Sequence, residues 1–173
     1  RVENANTTTI TKGTGDEAII RTINKNYLGN NVMETIESVS RASDTTPASC
    51  TRKIELRTDG GWVILEQTEG YSSDVAQTTK YEYDSHFRVS RIKYHNGGYI
   101  RYEYDSEGRE VLAAEPWAGG YEKITRTTYA DSRFYDNRPA TVTEYRVNRA
   151  GSEVLFRTTT YTYEDSDAEE KVT

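Results

Sequence analysis

The chain has 173 residues, which is enough for one domain with a real core or for several small units that share one. Its net charge is −6, and its 22 Lys and Arg residues are spread among 28 acidic residues, which argues against a nucleic-acid or anionic-membrane partner. Only 34% of the residues are hydrophobic, and no stretch approaches the length of a membrane span.

The aromatic residues are 14 Tyr, three Phe and two Trp, and the mean hydropathy is −0.86. Each Tyr ring carries a hydroxyl that needs water or a hydrogen-bond partner. Because Tyr, Thr and Val are frequent and only three Pro are present, the composition favours strands over helices. Cys50 is the only cysteine, so we expect a small buried or half-buried thiol, with no intrachain disulfide and no cysteine-based metal site.

Residues 1–49 form an N-terminal segment of uncertain assignment that we expect to be rich in strands. Residues 18–23 have the strand-like sequence AIIRTI. The apolar positions 32, 33, 36 and 39 also fit the stripe of an amphipathic helix, so both structures are open there, and we favour strands. Because the sequence opens directly on strand-like RVENANTTTITK and ends as abruptly, we expect the chain to be a slice of a longer protein.

From about residue 50 to residue 164 the sequence alternates between strands and turns. Residues 53–57 and 63–66 are typical of two strands, and the turn signal DGGW separates them. Residues 94–99 (YHNGGY) contain Asn-Gly, a strong signal for a hairpin turn. Looser turns of the same kind lie at residues 118–121 and 148–153.

A short motif recurs four times in this part of the chain. Each copy contains a Tyr at a strand position, followed by Asp and Ser directly in the first two copies and after one extra residue in the last two. The copies are YEYDS at 81–85, YEYDS at 102–106, TTYADS at 127–132 and YTYEDS at 161–166. The equivalent tyrosines are separated by 21, then 25, then 34 residues. This pattern predicts repeats with loops of variable length rather than a rigid solenoid.

Local chemistry accounts for the motif as a strand end plus its turn. In the first copy Tyr81 and Tyr83 share one face of a strand, because side chains alternate between faces. Asp84 can accept backbone N–H groups two positions further on and so close a turn. In the second copy Gly108 supplies the positive φ that such a turn often requires, and Arg109 begins the return strand.

The run from Tyr102 to Arg109, Tyr-x-Tyr-Asp-x-x-Gly-Arg, resembles the YD repeat of the Rhs family, which occurs in bacterial Rhs proteins, in the BC components of insecticidal toxin complexes and in teneurins. The resemblance covers roughly residues 50–164. It implies an all-β fold of successive antiparallel β-hairpins in a curved sheet that spirals into a hollow shell. It also implies a secreted or cell-surface protein, of bacterial origin, whose partners are flanking repeats, an encapsulated polypeptide or a surface glycan.

The resemblance further implies that the repeat residues define the fold and take no part in catalysis. These positions are Tyr81, Tyr83, Asp84, Tyr102, Tyr104, Asp105, Gly108 and Arg109. The chain departs from the repeat at Phe87, which stands where the repeat has Gly, and the third and fourth copies lack the Gly-Arg step. We therefore expect the turn at Phe87 to adopt another shape.

The sequence offers few groups for catalysis. His86 and His95 are the only histidines, and both are expected to be solvated in turns. Two carboxylates suffice for glycoside hydrolysis, and Asp84 and Asp105 could face one another across hairpins, but turn capping explains them without chemistry. We expect no enzyme activity, no cofactor and no metal. The acidic residues 165–173 are expected to be a solvated tail, because the alternative, a calcium loop, lacks the glycine and the ligand spacing.

Four aromatic residues near turns are candidates for binding: Trp62, Trp117, Tyr99 and Tyr121. Exposed Tyr and Trp on a sheet can stack on sugar rings or anchor a protein partner. A carbohydrate- or protein-binding adhesion module is therefore the alternative to our main prediction. The main prediction is a non-enzymatic β-scaffold segment of a larger repeat protein, built from tyrosine-rich hairpins.

Overall fold

The computed structural model describes residues 3–130, 137–163 and 171–172. These residues form 13 β-strands and no α-helix, and the strands pair antiparallel with their neighbours in the sequence. The prediction of an all-β fold made of successive antiparallel hairpins is therefore confirmed. Of the predicted acidic tail, only residues 171–172 lie within the described part of the chain.

The chain divides into two compact units. The first contains the described residues up to 88, together with 92–97. Its strands pair in chain order, β1 with β2 and so on to β6. They are β1 (Glu3–Lys12), β2 (Ile19–Gly29), β3 (Val32–Arg41), β4 (Ser49–Thr58), β5 (Gly61–Glu69) and β6 (Gln77–Tyr83). A seventh strand, β7 (Val89–Lys93), is divided between the two units.

The second unit contains residues 89–91 and the described residues from 98 onward. Its strands also pair in chain order, from β8 to β13. They are β8 (Tyr99–Tyr104), β9 (Glu110–Trp117), β10 (Tyr121–Tyr129), β11 (Pro139–Val147), β12 (Glu153–Thr162) and β13 (Lys171–Val172).

The N-terminal strand prediction is confirmed by β2 and β3. Asn30 and Asn31 connect these strands with φ values of 51° and 63°. Two consecutive left-handed residues are typical of a type I′ turn, which matches the twist of the strands in a two-residue hairpin. Asn adopts the left-handed conformation more readily than most other residues. The alternative of an amphipathic helix at positions 32–39 is wrong, because β3 pairs with β2 on one side and with β4 on the other.

Few side chains are fully buried, and the core of each unit is small. In the first unit Ala18 and Cys50 are buried, which confirms the prediction of a buried Cys50 thiol. In the second unit Ala114, Ile124 and Val147 form a cluster on one face of the sheet. Most other strand residues are half-buried, so cross-strand pairs rather than a deep core hold the strands together.

Four turns share one geometry, in which the fourth residue is left-handed and donates its N–H to the carbonyl of the first. The donors are Phe87, Gly97, Gly108 and Gly151, with N···O distances of 3.1, 3.0, 3.1 and 2.9 Å and φ values of 59°, 83°, 84° and 82°. The expectation of a different turn at Phe87 is therefore wrong. Phe87 adopts the glycine conformation, and its ring, 49% exposed, needs no space inside the protein.

Candidate functional site

The Asp-to-Arg turn of the second repeat is closed by hydrogen bonds to one carboxylate. Asp105 Oδ1 accepts the backbone N–H groups of Glu107 and Arg109 at 3.1 and 2.8 Å. Asp105 Oδ2 accepts the guanidinium Nε–H of Arg109 at 2.7 Å. The backbone N–H of Asp105 in turn donates to the carbonyl of Arg109 at 3.0 Å. The side chain therefore fixes the turn and the direction of the return strand.

The first repeat builds the same turn around Asp84. Asp84 Oδ1 accepts the backbone N–H groups of His86 and Arg88 at 2.8 and 3.0 Å, and Oδ2 accepts Arg88 Nε–H at 2.7 Å. Burial by itself raises the pKa of Asp84 and Asp105, but the hydrogen bonds from the backbone and the guanidinium hold both pKa values below the usual range. Both carboxylates are ionised and committed to their own turns at neutral pH, which favours turn capping over acid–base chemistry.

The tyrosine that ends a repeat bonds to the strand before it. The hydroxyls of Tyr129 and Tyr163 donate to the carbonyls of Glu110 and Pro139 at 2.6 and 2.9 Å. In each case the accepting carbonyl belongs to the residue that follows an arginine. The guanidinium carbons of these arginines, Arg109 and Arg138, lie 4.6 and 4.5 Å from the ring centroids of Tyr129 and Tyr163. We call this hydroxyl contact with the backbone of another strand a tyrosine clamp; at Tyr129 and Tyr163 a stacked Arg accompanies it.

The two earlier tyrosines make the same hydroxyl contact. Tyr83 donates to the carbonyl of Ile64 at 2.7 Å, and Tyr104 donates to that of Val89 at 2.8 Å. Burial raises the pKa of both Tyr83 and Tyr129, so each hydroxyl stays protonated and remains a donor. All four equivalent positions of the repeat thus use their hydroxyl to join one strand to the backbone of another.

Sequence reasoning missed the arginine of the third repeat. Arg138 lies nine residues after Tyr129, too far away to be recognised as part of the motif. Its carbonyl nevertheless accepts the backbone N–H of Ala130 at 3.3 Å, as Arg88 and Arg109 do for their Asp residues. The predicted turn residues 131–132 lie outside the described residues, as does the part of the fourth copy after residue 163.

Three of the predicted binding aromatics line one cleft of about 380 Å³ in the second unit, namely Tyr99, Trp117 and Tyr121. Tyr99 is half-buried rather than exposed, because its hydroxyl donates to Glu122 and the guanidinium of Arg91 lies 4.4 Å from its ring. The hydrogen bond to the Glu122 carboxylate, together with burial, raises the pKa of Tyr99.

The other two aromatics of the cleft are also engaged with cations. Tyr121 is half-buried rather than exposed, because the guanidinium of Arg146 lies 4.6 Å from its ring. Trp117 is 45% exposed, with Lys123 Nζ at 5.9 Å and the ring of Phe156 at 6.5 Å between centroids. Trp117 is therefore the most exposed of these three aromatic residues.

Trp62 lies in a separate groove of about 540 Å³ on the first unit, formed by side chains of β2 to β5. It is 43% exposed, as expected for an aromatic residue beside a turn. The turn itself is held by Thr58, whose hydroxyl donates to the carbonyl of Gly61 at 2.9 Å. The four predicted binding residues thus belong to two different surfaces.

The remaining chemical candidates are solvated. His86 and His95 are both exposed in turns, as predicted. Within the described residues, no group of three or more His, Cys, Asp or Glu side chains could hold a metal ion. The part of the chain that the structure describes also contains no helix that is long and apolar enough to cross a membrane.

The chain matches no protein-family model and none of the curated proteins.

Proposed function

We propose that the chain is a non-enzymatic structural segment of a larger secreted or cell-surface repeat protein of the Rhs/YD kind. In this proposal the hairpins form part of a shell that surrounds a cargo polypeptide, and flanking repeats of the parent chain continue the structure. The observation that carries the proposal is the use of all four repeat tyrosines as donors to backbone carbonyls.

A scaffold is supported because the most distinctive residues of the chain are used internally. The repeat tyrosines bond to strands, the two turn aspartates bond to their own backbone, and the turn arginine Arg109 bonds to Asp105 and stacks on Tyr129. A catalytic site keeps reactive groups free to meet a substrate. The motif residues instead build a connection that can be repeated from hairpin to hairpin.

The small core supports the same proposal. A free-standing enzyme of this length usually buries a continuous apolar core, whereas the described residues contain only five buried hydrophobic side chains. Cross-strand pairs and clamps stabilise a sheet locally, so they suit a protein that gains stability from adding further hairpins.

The mass of the native polypeptide tests this proposal. An antibody raised against the 19.7 kDa chain is used to isolate the polypeptide from its source, both from intact cells and from the medium. We expect a surface-bound or secreted polypeptide many times heavier than 19.7 kDa. A native polypeptide close to that mass, or one retained in the cytosol, would contradict the scaffold proposal.

A further inference from the structure

The groove beside Trp62 has a polar floor that crosses four strands of the first unit. Its central row consists of Lys25, Thr35, Lys53 and Gln67, which lie opposite one another in the register of β2 to β5. Opposed residues of a sheet point to the same face, and neighbouring strands are about 4.8 Å apart, so the row extends for roughly 14 Å. An extended ligand that lies across the strands can contact the whole row.

The carboxylates on either side of this row are held in place by neighbouring donors. Thr35 donates its hydroxyl to Glu55 at 3.1 Å, and Thr51 donates to Glu69 at 3.0 Å. On the edge of the groove, Glu37 receives two hydrogen bonds from Arg21, at 2.7 and 2.9 Å. The acceptors are therefore ordered before any ligand arrives, which reduces the entropy that binding must overcome.

The two lysines of the floor are the groove's available donors. Within the described residues neither Lys25 nor Lys53 forms an ion pair or a side-chain hydrogen bond. Most other cations on the strands of this unit are paired, as Arg21 is with Glu37 and Arg52 is with Glu34. Each ammonium group thus keeps its three N–H donors for a ligand.

Trp62 provides a flat apolar surface at one end of the groove. It pairs with Arg57 in the register of β4 and β5, which places it on the same face as Glu55 and Lys53. With 43% of its surface exposed, the indole ring can cover the C–H face of a ring-shaped ligand. The groove therefore combines one apolar platform with a row of donors and ordered acceptors.

We propose that this groove binds a neutral, hydroxyl-rich glycan strand. One sugar ring stacks on Trp62, and the hydroxyls of the following sugars accept hydrogen bonds from Lys53 and Lys25 and donate to the glutamates. A hydroxyl is both donor and acceptor, so it matches a surface on which the two kinds of group alternate. This binding is independent of the scaffold proposal, since it depends on none of the clamp residues.

The charges of the groove favour a neutral ligand over charged ones. The lining contains two positive charges, on Lys25 and Lys53, and three negative charges. The negative charges are those of Glu37, Glu55 and Glu69, and Arg21 neutralises that of Glu37. The surface is thus close to neutral overall. Nucleic acids and polyanionic glycans would be repelled by the carboxylates of the groove, and the groove has no basic patch that would offset this repulsion. Besides Trp62, the apolar lining consists of the half-buried Ile23 and Met33. A peptide anchor would require a deeper apolar pocket than these side chains provide.

The two tryptophans make the test specific for the site. In a Trp117→Phe chain Trp62 is the only tryptophan, and in a Trp62→Phe chain Trp117 is the only one. Each full-length chain is titrated with neutral hexasaccharides of the β-1,4-glucose, β-1,4-N-acetylglucosamine, β-1,3-glucose and α-1,4-glucose types, and with an oligogalacturonate. Fluorescence reports contact with the ring, and calorimetry reports the affinity without depending on either ring.

We expect at least one neutral hexasaccharide to change the Trp62 fluorescence in a saturable way, and the Trp62→Phe chain to lose about tenfold or more in affinity by calorimetry. Lys53→Met is expected to lower the affinity by a similar factor. The matched control, Lys80→Met, removes a lysine that pairs with Glu66 on the opposite face and should leave the affinity unchanged. The proposal is overturned if no neutral hexasaccharide binds, if the Trp62→Phe chain binds equally well, or if the oligogalacturonate binds most tightly.

Discussion

Arg109 is expected to be one of the most important charged residues for the stability of the second unit. It donates to Asp105 at 2.7 Å, it stacks 4.6 Å from the ring of Tyr129, and its side chain is only 18% exposed. The charge-assisted hydrogen bond contributes about 1.5–3 kcal/mol and a partly exposed cation–π contact about 0.5–1 kcal/mol. Taking the lower ends, because water still reaches both groups, Arg109→Met should lower the free energy of unfolding by about 2 kcal/mol.

The assay is urea denaturation followed by circular dichroism, together with thermal melting. A loss of this size corresponds to a fall in Tm of roughly 4–8 °C for a chain of this length. The control is Arg101→Met, which removes an arginine that is 32% exposed and pairs with Glu103 at 2.9 Å and with Glu122 at 3.5 Å, with no ring stacked on it within the described residues. Exposed ion pairs of this kind contribute about 0–1 kcal/mol each, so we expect a smaller loss than for Arg109→Met. Equal losses in the two variants would refute the clamp as a special source of stability.

Two further predictions concern the turns. Phe87→Gly should leave the free energy of unfolding in urea unchanged or raise it by up to about 1 kcal/mol. The reason is that the relief of backbone strain at the left-handed position is at least as large as the cost of the extra freedom of Gly in the unfolded chain. A clear loss of stability would show that Phe87 is not strained. The lowered pKa of Asp105 means that its contribution is present above the unfolded pKa, about 3.9, and is lost as the pH falls through the folded pKa. Asp105→Asn should therefore lower Tm at pH 7. The difference in Tm between the variant and the parent chain should become smaller below about pH 4. A difference that grows in acid would contradict the lowered pKa of Asp105.

The local part of the fold could be read from the sequence. Tyr81 and Tyr83 alternate with acidic residues as strand faces require, and the side chain of Asp84 closes the turn that its chemistry predicts. The prediction of a different turn at Phe87 is wrong, because the hydrogen bonds of the turn outweigh the steric preference of Phe against a positive φ. Hydrogen bonds from three donors to Asp84 hold the turn, and the exposed ring meets no obstacle.

The clamps and the groove could not be read from the sequence, because both depend on strand register. Tyr129 reaches a carbonyl 19 residues earlier, and Arg138 joins the third repeat across an insertion that hides the motif. The exposure of Trp62 agrees with its place beside a turn in the sequence. Its polar neighbours Lys25 and Gln67 lie far apart in the chain and meet only after four strands pair.

The four clamp hydroxyls carry the central claim that the repeat tyrosines are structural, and they can be removed together. The variant replaces Tyr with Phe at 83, 104, 129 and 163, and its control does so at 71, 81, 94 and 161, whose hydroxyls form no hydrogen bond within the described residues. With about 1 kcal/mol for each hydrogen bond, the clamp variant should lose about 4 kcal/mol of unfolding free energy in urea denaturation, summed over both units. The control should lose less than about 1 kcal/mol. Equal losses in the two variants, or no loss in the clamp variant, would contradict the claim.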